Sequence, residues 1–565
     1  MRTAQHPYFA AGALAIALVA AAPTARAQAV TTRAPVPCND CERQLAQGAS
    51  GLQQPPQTPQ TLPAAPVAAE RFRLKDVRFS GAEALPAERL RELAQPYIGR
   101  DVTLSDLKAL ADAVQAEYRG RGFFLAQALI PVQTVQDGVV EISVIEGRLG
   151  RVQVQVAPDA PISKERVRAF LKPLRTGEPV NAAAYERAML LLSDQPGINV
   201  TSGLQQGLVT GTTDLEVEVA AAPRWLFTAD ADNHGTRESG RYRIGGTARR
   251  ASLFGIGDNL DARLMLSNSN ALQFGRLAYE APIGGNGLRA GIAASRIHYE
   301  LGGQFSALDA QGKADVFDLS LNHPLIRQRS QNLFIRVGAQ LKNLTDELRA
   351  VNLTSDKRTT GVSLGWAWER RDEMLGGGYW ASSGTLYHGN LSIRDEASRN
   401  ADSGPNGRGT AGGFTKLGFQ VSRLQSVVPS HTLYFSLGGQ WASKNLDASE
   451  KVALGGARAV RAYPSSEVLA DEGLIGNVEW RWSVTPEATP FIFYDAARGR
   501  IAKDPTPLER DNTRSLRGWG VGVSWSKPRN FSISATLAWR AGTPAAVTDG
   551  GGRNPRLFVQ LQKVF

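Results

Sequence analysis

From Phe72 to Val219 the chain carries two periods of apolar residues, whereas from Trp225 to Phe565 only one remains. In the first stretch Phe72–Phe79 alternates as a strand, Leu90, Leu93, Ala94 and Tyr97 recur at helical spacing, and Leu104, Leu107, Ala111, Val114 and Tyr118 form a second amphipathic stripe. Thr103 with Asp106 gives a capping-box signal ahead of that stripe. The runs Phe124–Val132 and Val139–Ile145 close the unit as strands. The β-α-α-β-β order then recurs. Arg151–Val156 reads as a strand, Ser163 caps a helix carrying Val167, Phe170, Leu171 and Leu174, and a further helix carries Tyr185, Met189 and Leu192. Strand-like runs follow around Ile198–Leu204 and Thr213–Val219. The repeat predicts two small α+β domains, 71–149 and 150–222, whose apolar stripes are core. Their edge strands can accept an extended peptide by β-augmentation.

Beyond Trp225 the pattern is strict alternation. Leu333, Ile335, Val337 and Leu341 share one parity, with Arg336, Gly338 and Gln340 opposite. Val478, Trp480 and Trp482 alternate with Asn477, Glu479 and Arg481, and Trp519, Val521, Val523 and Trp525 with Gly518, Gly520, Gly522 and Ser524. Parity alone would also suit a soluble sandwich. Three features favour a transmembrane barrel: runs of about ten residues, the length a tilted strand needs to span a bilayer; tryptophans at strand ends, where interface belts form; and a last strand, from Arg556, that runs to the aromatic terminus Phe565. Phe565 stands where a barrel assembly signal is expected, with the barrel assembly machinery and outer-membrane lipid as partners. Sixteen runs, starting between 226 and 556, predict an all-β barrel of about 16 antiparallel strands over 223–565. Lipid requires that it close, because an open edge would leave unpaired backbone groups in hydrocarbon. The inward parity collects Arg241, Arg243, Arg263, Arg289, Arg336, Lys416, Arg481 and Arg540, opposed by Asp230, Asp232, Asp261, Asp318 and Glu479. Such a mixed-charge lumen suits a conduit and equally a plugged barrel.

The N-terminus reads as a targeting segment, 1–27: Arg2, an apolar run Phe9–Ala22, and Ala25-Arg26-Ala27 as a small-residue cleavage site. Residues 28–70 follow, with the uncharged Gln44–Ala69 as a Pro/Gln-rich linker and a short helix expected at Asp40–Ala49, capped by Asn39. Cys38 and Cys41 form a CxxC that is two ligands short of a metal site and lacks the βαβ context of a redox motif, so a small local disulfide loop is expected.

Composition narrows the function. Two cysteines in 565 residues exclude a disulfide scaffold, and the apolar content excludes a mainly disordered chain. The net charge of +11 is spread along the chain, which argues against nucleic acid as a partner. His234, His298, His323, His388 and His431 lie far apart without ligand spacing, and no GxSxG, HExxH or P-loop occurs. No catalytic site, metal or cofactor is expected.

This order of parts resembles the TpsB outer-membrane transporters of two-partner secretion (FhaC/ShlB-like) across nearly the whole mature length, and the two modules look like POTRA domains. The sharper likeness is local. The long connection from about Lys444 to Gly473 contains Val460-Arg461-Ala462-Tyr463, similar to the family's V-R-G-Y/F lumen-loop motif, with alanine in place of glycine. Phe493-Tyr494-Asp495-Ala496-Ala497 resembles the family's F-x-D-x-G strand motif, with Ala497 in place of glycine, and parity turns Phe493 and Asp495 inward. The resemblance implies a pore that exports one large unfolded partner protein to the cell surface, an N-terminal helix that plugs it, and POTRA domains that receive the client. The alternatives are an outer-membrane assembly factor of the same superfamily and, third, a simple porin. Arg461 and Asp495 are expected to pair.

Overall fold

The computed structural model describes residues 71–565 except 466, 508–510, 543–544 and 550–552. The targeting segment, the Cys38–Cys41 loop, the helix expected at 40–49 and the Pro/Gln linker lie outside the described residues. The described chain divides into an N-terminal unit ending at Ala222 and a unit beginning at Pro223.

The N-terminal unit contains two modules built alike. In the first, the strand Val139–Ile145 pairs in parallel with Asp76–Ser80 and antiparallel with Gln127–Leu129. In the second, Thr212–Ala221 pairs in parallel with Arg148–Val156 and antiparallel with Ile198–Gln206. Two helices cover each sheet: Ala87–Ala94 and Leu104–Gly120, then Lys164–Leu171 and Ala182–Ser193. Thr103 closes a full capping box with Asp106, and Ser163 accepts from the Arg166 N–H at 3.2 Å. Of the predicted stripe, Leu107, Ala111, Val114 and Tyr118 are buried, with Val140 and Ile142 of the sheet against them, whereas Leu104, the first residue of the helix, is exposed. In the second module Val167, Phe170, Leu171 and Leu192 pack on Leu215 and Val217.

The two predicted strands that differ do so for a local reason. Phe72–Phe79 is broken at Leu74, because the Leu74 N–H donates to the Arg100 carbonyl and the Lys75 N–H to that of Gly138, so the chain changes partners there. Phe124–Val132 shortens to Gln127–Leu129, since its flanks are held by turns and by Gln133, whose amide bonds the Glu141 backbone. A buried carboxylate sits at the joint of the modules. Glu146 accepts from the Glu83 N–H and the Tyr118 hydroxyl at 2.6 and 2.9 Å and pairs with Arg148 of the second module at 3.0 Å. Burial, with Glu146 beside it, pushes the Tyr118 phenol well above its ordinary value.

From Trp225 onward sixteen strands form a closed antiparallel barrel, in which the last strand, Arg556–Val564, pairs with the first, Trp225–Asp232. Each begins within a few residues of its predicted start; the exception is Leu353–Asp372, which extends further upstream. The outward parity is apolar and exposed: Leu319, Leu321, Val337, Val362, Leu364, Val478, Ile492 and Val521 are all open to the surroundings. Rings gather where the strands meet the short turns, with Trp225 stacked on Phe227, Trp482 on His431, and Trp525 edge-on to Phe531. An apolar band bounded by aromatics is the outer surface of a barrel immersed in lipid. Among the described residues no helix is long and apolar enough to cross a membrane, a statement that does not bear on strands. Inside, paired charges ladder the wall: Arg243 with Asp232, Arg263 with Asp230, Arg276 with Asp318, and Arg289 with Glu280. Arg241, assigned by parity to a strand, lies just before the strand Arg243–Ala251 and meets Asp549 of the last long connection at 3.0 Å.

Candidate functional site

The chain between the strands His431–Ala442 and Glu472–Trp482 is the longest connection in the barrel, and it folds back into the lumen. Val460, Arg461, Ala462 and Tyr463 at its tip are all buried. Arg461 makes the central contacts. Its Nη2 donates to Asp495 Oδ1 at 2.7 Å and its Nε to Asp495 Oδ2 at 2.9 Å, a two-point fork. The Arg461 backbone N–H also donates to Asp495 Oδ2, at 3.0 Å. The remaining Nη1 donates to Glu479 Oε1 at 2.7 Å. The guanidinium lies over the Phe493 ring, 3.5 Å from its centroid, so the arginine is held by charge, geometry and a π face together.

The wall is shaped to receive this tip. Asp495 and Phe493 point inward from the strand Ala488–Arg500, and Tyr494 between them is exposed outward. Asn477, on the neighbouring strand, donates to Asp495 Oδ1 at 2.8 Å and to the Ala459 carbonyl at 3.1 Å, tying wall and loop through one side chain. On the other neighbour, Thr513–Lys527, Gly518, Gly520 and Gly522 form a groove. A Cβ at Gly520 would stand 2.5 Å from Phe493 and one at Gly522 2.4 Å from Phe491. The alternating glycines are therefore the space into which the inward phenylalanines fit.

Ala462 needs no glycine conformation, since its φ lies outside the left-handed region, and its side chain is buried against the wall. Ala497 joins the apolar cluster of Leu454, Val460, Tyr463 and Leu516. Phe565 is exposed at the end of the last strand, where its backbone N–H donates to the Phe227 carbonyl at 2.9 Å and closes the seam with the first strand.

The flanks of the loop tie it to its neighbours. Glu467 accepts from the Val547 and Thr548 N–H groups at 3.0 and 3.2 Å, Ser465 donates to the His234 carbonyl at 3.0 Å, and Asn445 bridges the Arg408 and Asp504 carbonyls. Asp471 meets Lys451 at 2.7 Å and accepts from the Leu446 and Lys503 N–H groups. Sequence reasoning placed Glu479 on the lumen wall among the acids that oppose its basic residues and missed its bond to Arg461. It singled out none of Asp447, Glu450, Lys451, Glu467 and Asp471. The one signal for these was a run of charges inside a connection otherwise rich in glycine and alanine.

Paired α+β modules ahead of a closed, lipid-facing barrel whose lumen is filled by one of its own loops define an outer-membrane transporter of the POTRA-plus-barrel class. The chain belongs to the haemolysin secretion/activation protein family ShlB/FhaC/HecB, whose model matches residues 211–525, and a ShlB-type POTRA domain model matches residues 72–147. It is similar to the heme/hemopexin transporter protein HuxB of Haemophilus influenzae, 29% identical over 462 residues and covering 80% of each chain. It is also similar to the outer membrane transporter CdiB of Dickeya dadantii, 24% identical and covering 84% of each chain. Among solved structures, CdiB from Escherichia coli superposes with a TM-score of 0.72 at 19% identity, covering 100% of both chains, which is a likeness of fold. The protein is a two-partner secretion transporter of the bacterial outer membrane, with its POTRA modules in the periplasm. Members of this family are transporters.

Proposed function

We propose that the barrel exports one large secreted partner, received unfolded by the POTRA modules, and that the lumen loop 443–471 is the element that shifts to let it through. One observation carries this reading: the loop fills the lumen through side-chain contacts centred on Arg461 and Asp495, not through strand pairing with the wall. Polar contacts of this kind can be exchanged for water without breaking the barrel's hydrogen-bond ladder. The relatives, a heme/hemopexin transporter and a hemolysin transporter among them, differ in the cargo they are named for, so similarity supports a secreted protein as client without fixing which one. The chain holds no nucleotide motif, which fits folding of the client outside the cell as the source of work.

The mixed sheets leave Gln127–Leu129 and Ile198–Gln206 at their edges, where an extended client segment can add as a further strand. Deleting residues 151–222 tests this. Export of a single secreted protein should stop while the barrel stays heat-modifiable on gels. Loss of many outer-membrane barrels would favour an assembly factor, and unchanged export would place recognition elsewhere.

A further inference from the structure

The motif tip and the flanking ties are not all that holds the lumen loop. On the arm that leads into the loop, Asp447 accepts from the Ser449 N–H and hydroxyl at 3.0 and 2.8 Å, while its other oxygen meets Lys357 Nζ at 2.9 Å. Glu450 lies between two lysines, with Lys342 Nζ 2.7 Å from Oε1 and Lys416 Nζ 2.9 Å from Oε2. The Glu450 carbonyl accepts from Lys416 Nζ and Gln440 Nε2, both at 3.0 Å. Both of these lysines also stand over the Tyr387 ring, at 5.8 and 5.9 Å. Asp447 and Glu450 are buried.

The three lysines project from Gln331–Leu348, Leu353–Asp372 and Gly412–Val428, the seventh, eighth and tenth strands of the barrel, whereas Glu479 and Asp495 belong to the twelfth and thirteenth. The loop therefore bridges two sectors of the wall. When it withdraws, Lys342 and Lys416 lose the carboxylate they share, and Lys357 loses Asp447 and retains Asp346, 3.6 Å away. Neighbouring ammonium groups left without a counter-charge repel each other and draw anions into the lumen.

We propose that Lys342, Lys357 and Lys416 form a carboxylate-binding cradle on the lumen wall, filled at rest by Asp447 and Glu450 and taken, once the loop withdraws, by acidic side chains of the polypeptide in transit. The cradle rests on the export reading above. Asp447 and Glu450 act as an internal stand-in for the cargo, so the arm is released as the cargo competes for the same lysines. In a hydrated lumen each such contact is weak enough to break and re-form, which guides a passing segment without trapping it.

The experiment uses the full-length chain in planar bilayers. Asp447→Asn with Glu450→Gln should open more often than the unsubstituted chain, and its zero-current potential in a potassium chloride gradient should shift toward anion selectivity. The free heptapeptide with the sequence of residues 446–452 should block the opened pore. The same peptide with Asn and Gln replacing its Asp and Glu should not. Adding Lys342→Met and Lys416→Met should remove both the anion shift and the block. Should that four-fold variant fail to run as a heat-modifiable barrel, the two peptides on the double variant decide alone. Unchanged opening and selectivity in the double variant, or equal block by both peptides, would overturn the cradle. Export of the secreted partner is scored in parallel: normal export without these changes removes the cradle and leaves the export reading standing, whereas no export by the unsubstituted chain removes the reading itself.

Discussion

Gly518 lies directly against Ala462: a Cβ built on Gly518 would stand 2.6 Å from the Cβ of Ala462 and 3.1 Å from the Trp539 carbonyl. The lumen loop seats only because the wall beneath its tip lacks a side chain. Gly518→Val should therefore unseat the tip at a cost of about 1–3 kcal/mol, the range of overpacking in a filled site. Single-channel conductance should rise and export should fall. Gly476→Ala, where nothing stands within 4 Å of the added Cβ, should behave as the unsubstituted chain in the same recording.

Arg461 and Asp495 break one contact between them, so their losses should not add. Removing either partner strands a buried charge and should weaken docking of the tip by about 3–5 kcal/mol. Arg461→Ala and Asp495→Ala are each expected to cripple export with the barrel assembled, and the double variant to be little worse. Arg461→Lys should recover only part of the function, since an ammonium makes neither the fork nor the flat contact with Phe493. Secretion measured across this set checks the pair; near-normal export in both single variants, or fully additive losses, would show that it does not anchor the loop.

The first POTRA module should loosen in acid at one end of a helix. The Thr103 N–H and hydroxyl each donate to Asp106 Oδ2 at 2.8 Å, and these bonds, the backbone one foremost, hold the Asp106 carboxyl below its ordinary value. A carboxyl lowered on folding lends stability above its unfolded pKa of about 3.9 and loses it as pH falls through the folded value. The protection factor for amide exchange at the first turn of Leu104–Gly120, the intrinsic rate at each pH divided by the observed rate, should fall below about pH 4 in the unsubstituted chain. The Asp106→Asn variant should already be poorly protected at neutral pH and respond little.

Deleting residues 28–60 should raise pore conductance and spare barrel assembly, if a segment there plugs the pore as the family resemblance implies. The apolar clusters described in the barrel, Leu272 with Ile297 and Val460 with Leu516 among them, are built from residues beyond Pro223. Conductance equal to that of the complete chain would remove the plug from the mechanism.

Glu146 is the joint at which the two modules meet, through Tyr118 on one side and Arg148 on the other. Glu146→Ala takes the acceptor from the Glu83 and Ala84 N–H groups and from the Tyr118 hydroxyl, and should cost about 1–3 kcal/mol. Faster proteolysis of the modules in the otherwise intact transporter, with the barrel unaffected, is the expected result. Equal resistance would mean that water replaces the carboxylate.

Alternation of apolar residues by itself determined the barrel, because lipid allows one outward face and the backbone fixes its period at two. The same argument placed Asp495 and Phe493 inward from Tyr494 alone, and the recurrence of β-α-α-β-β determined both modules. The family motif named Arg461 as the partner of Asp495. What the chain could not disclose was what lies above the wall. That Gly518, Gly520 and Gly522 are a groove for Ala462, Phe493 and Phe491 depends on how the strand Thr513–Lys527 lies beside Ala488–Arg500 and under a loop some fifty residues upstream. Lys342, Lys357 and Lys416 meet Glu450 and Asp447 across separations of 108, 90 and 34 residues, the last for the Lys416 contact with the Glu450 carbonyl. A loop has no period, and a charge within one reads as solvated until closure of the barrel brings the far wall to it. Only the closed tertiary structure decided that these carboxylates are buried and that the lysines around them hold the loop in place.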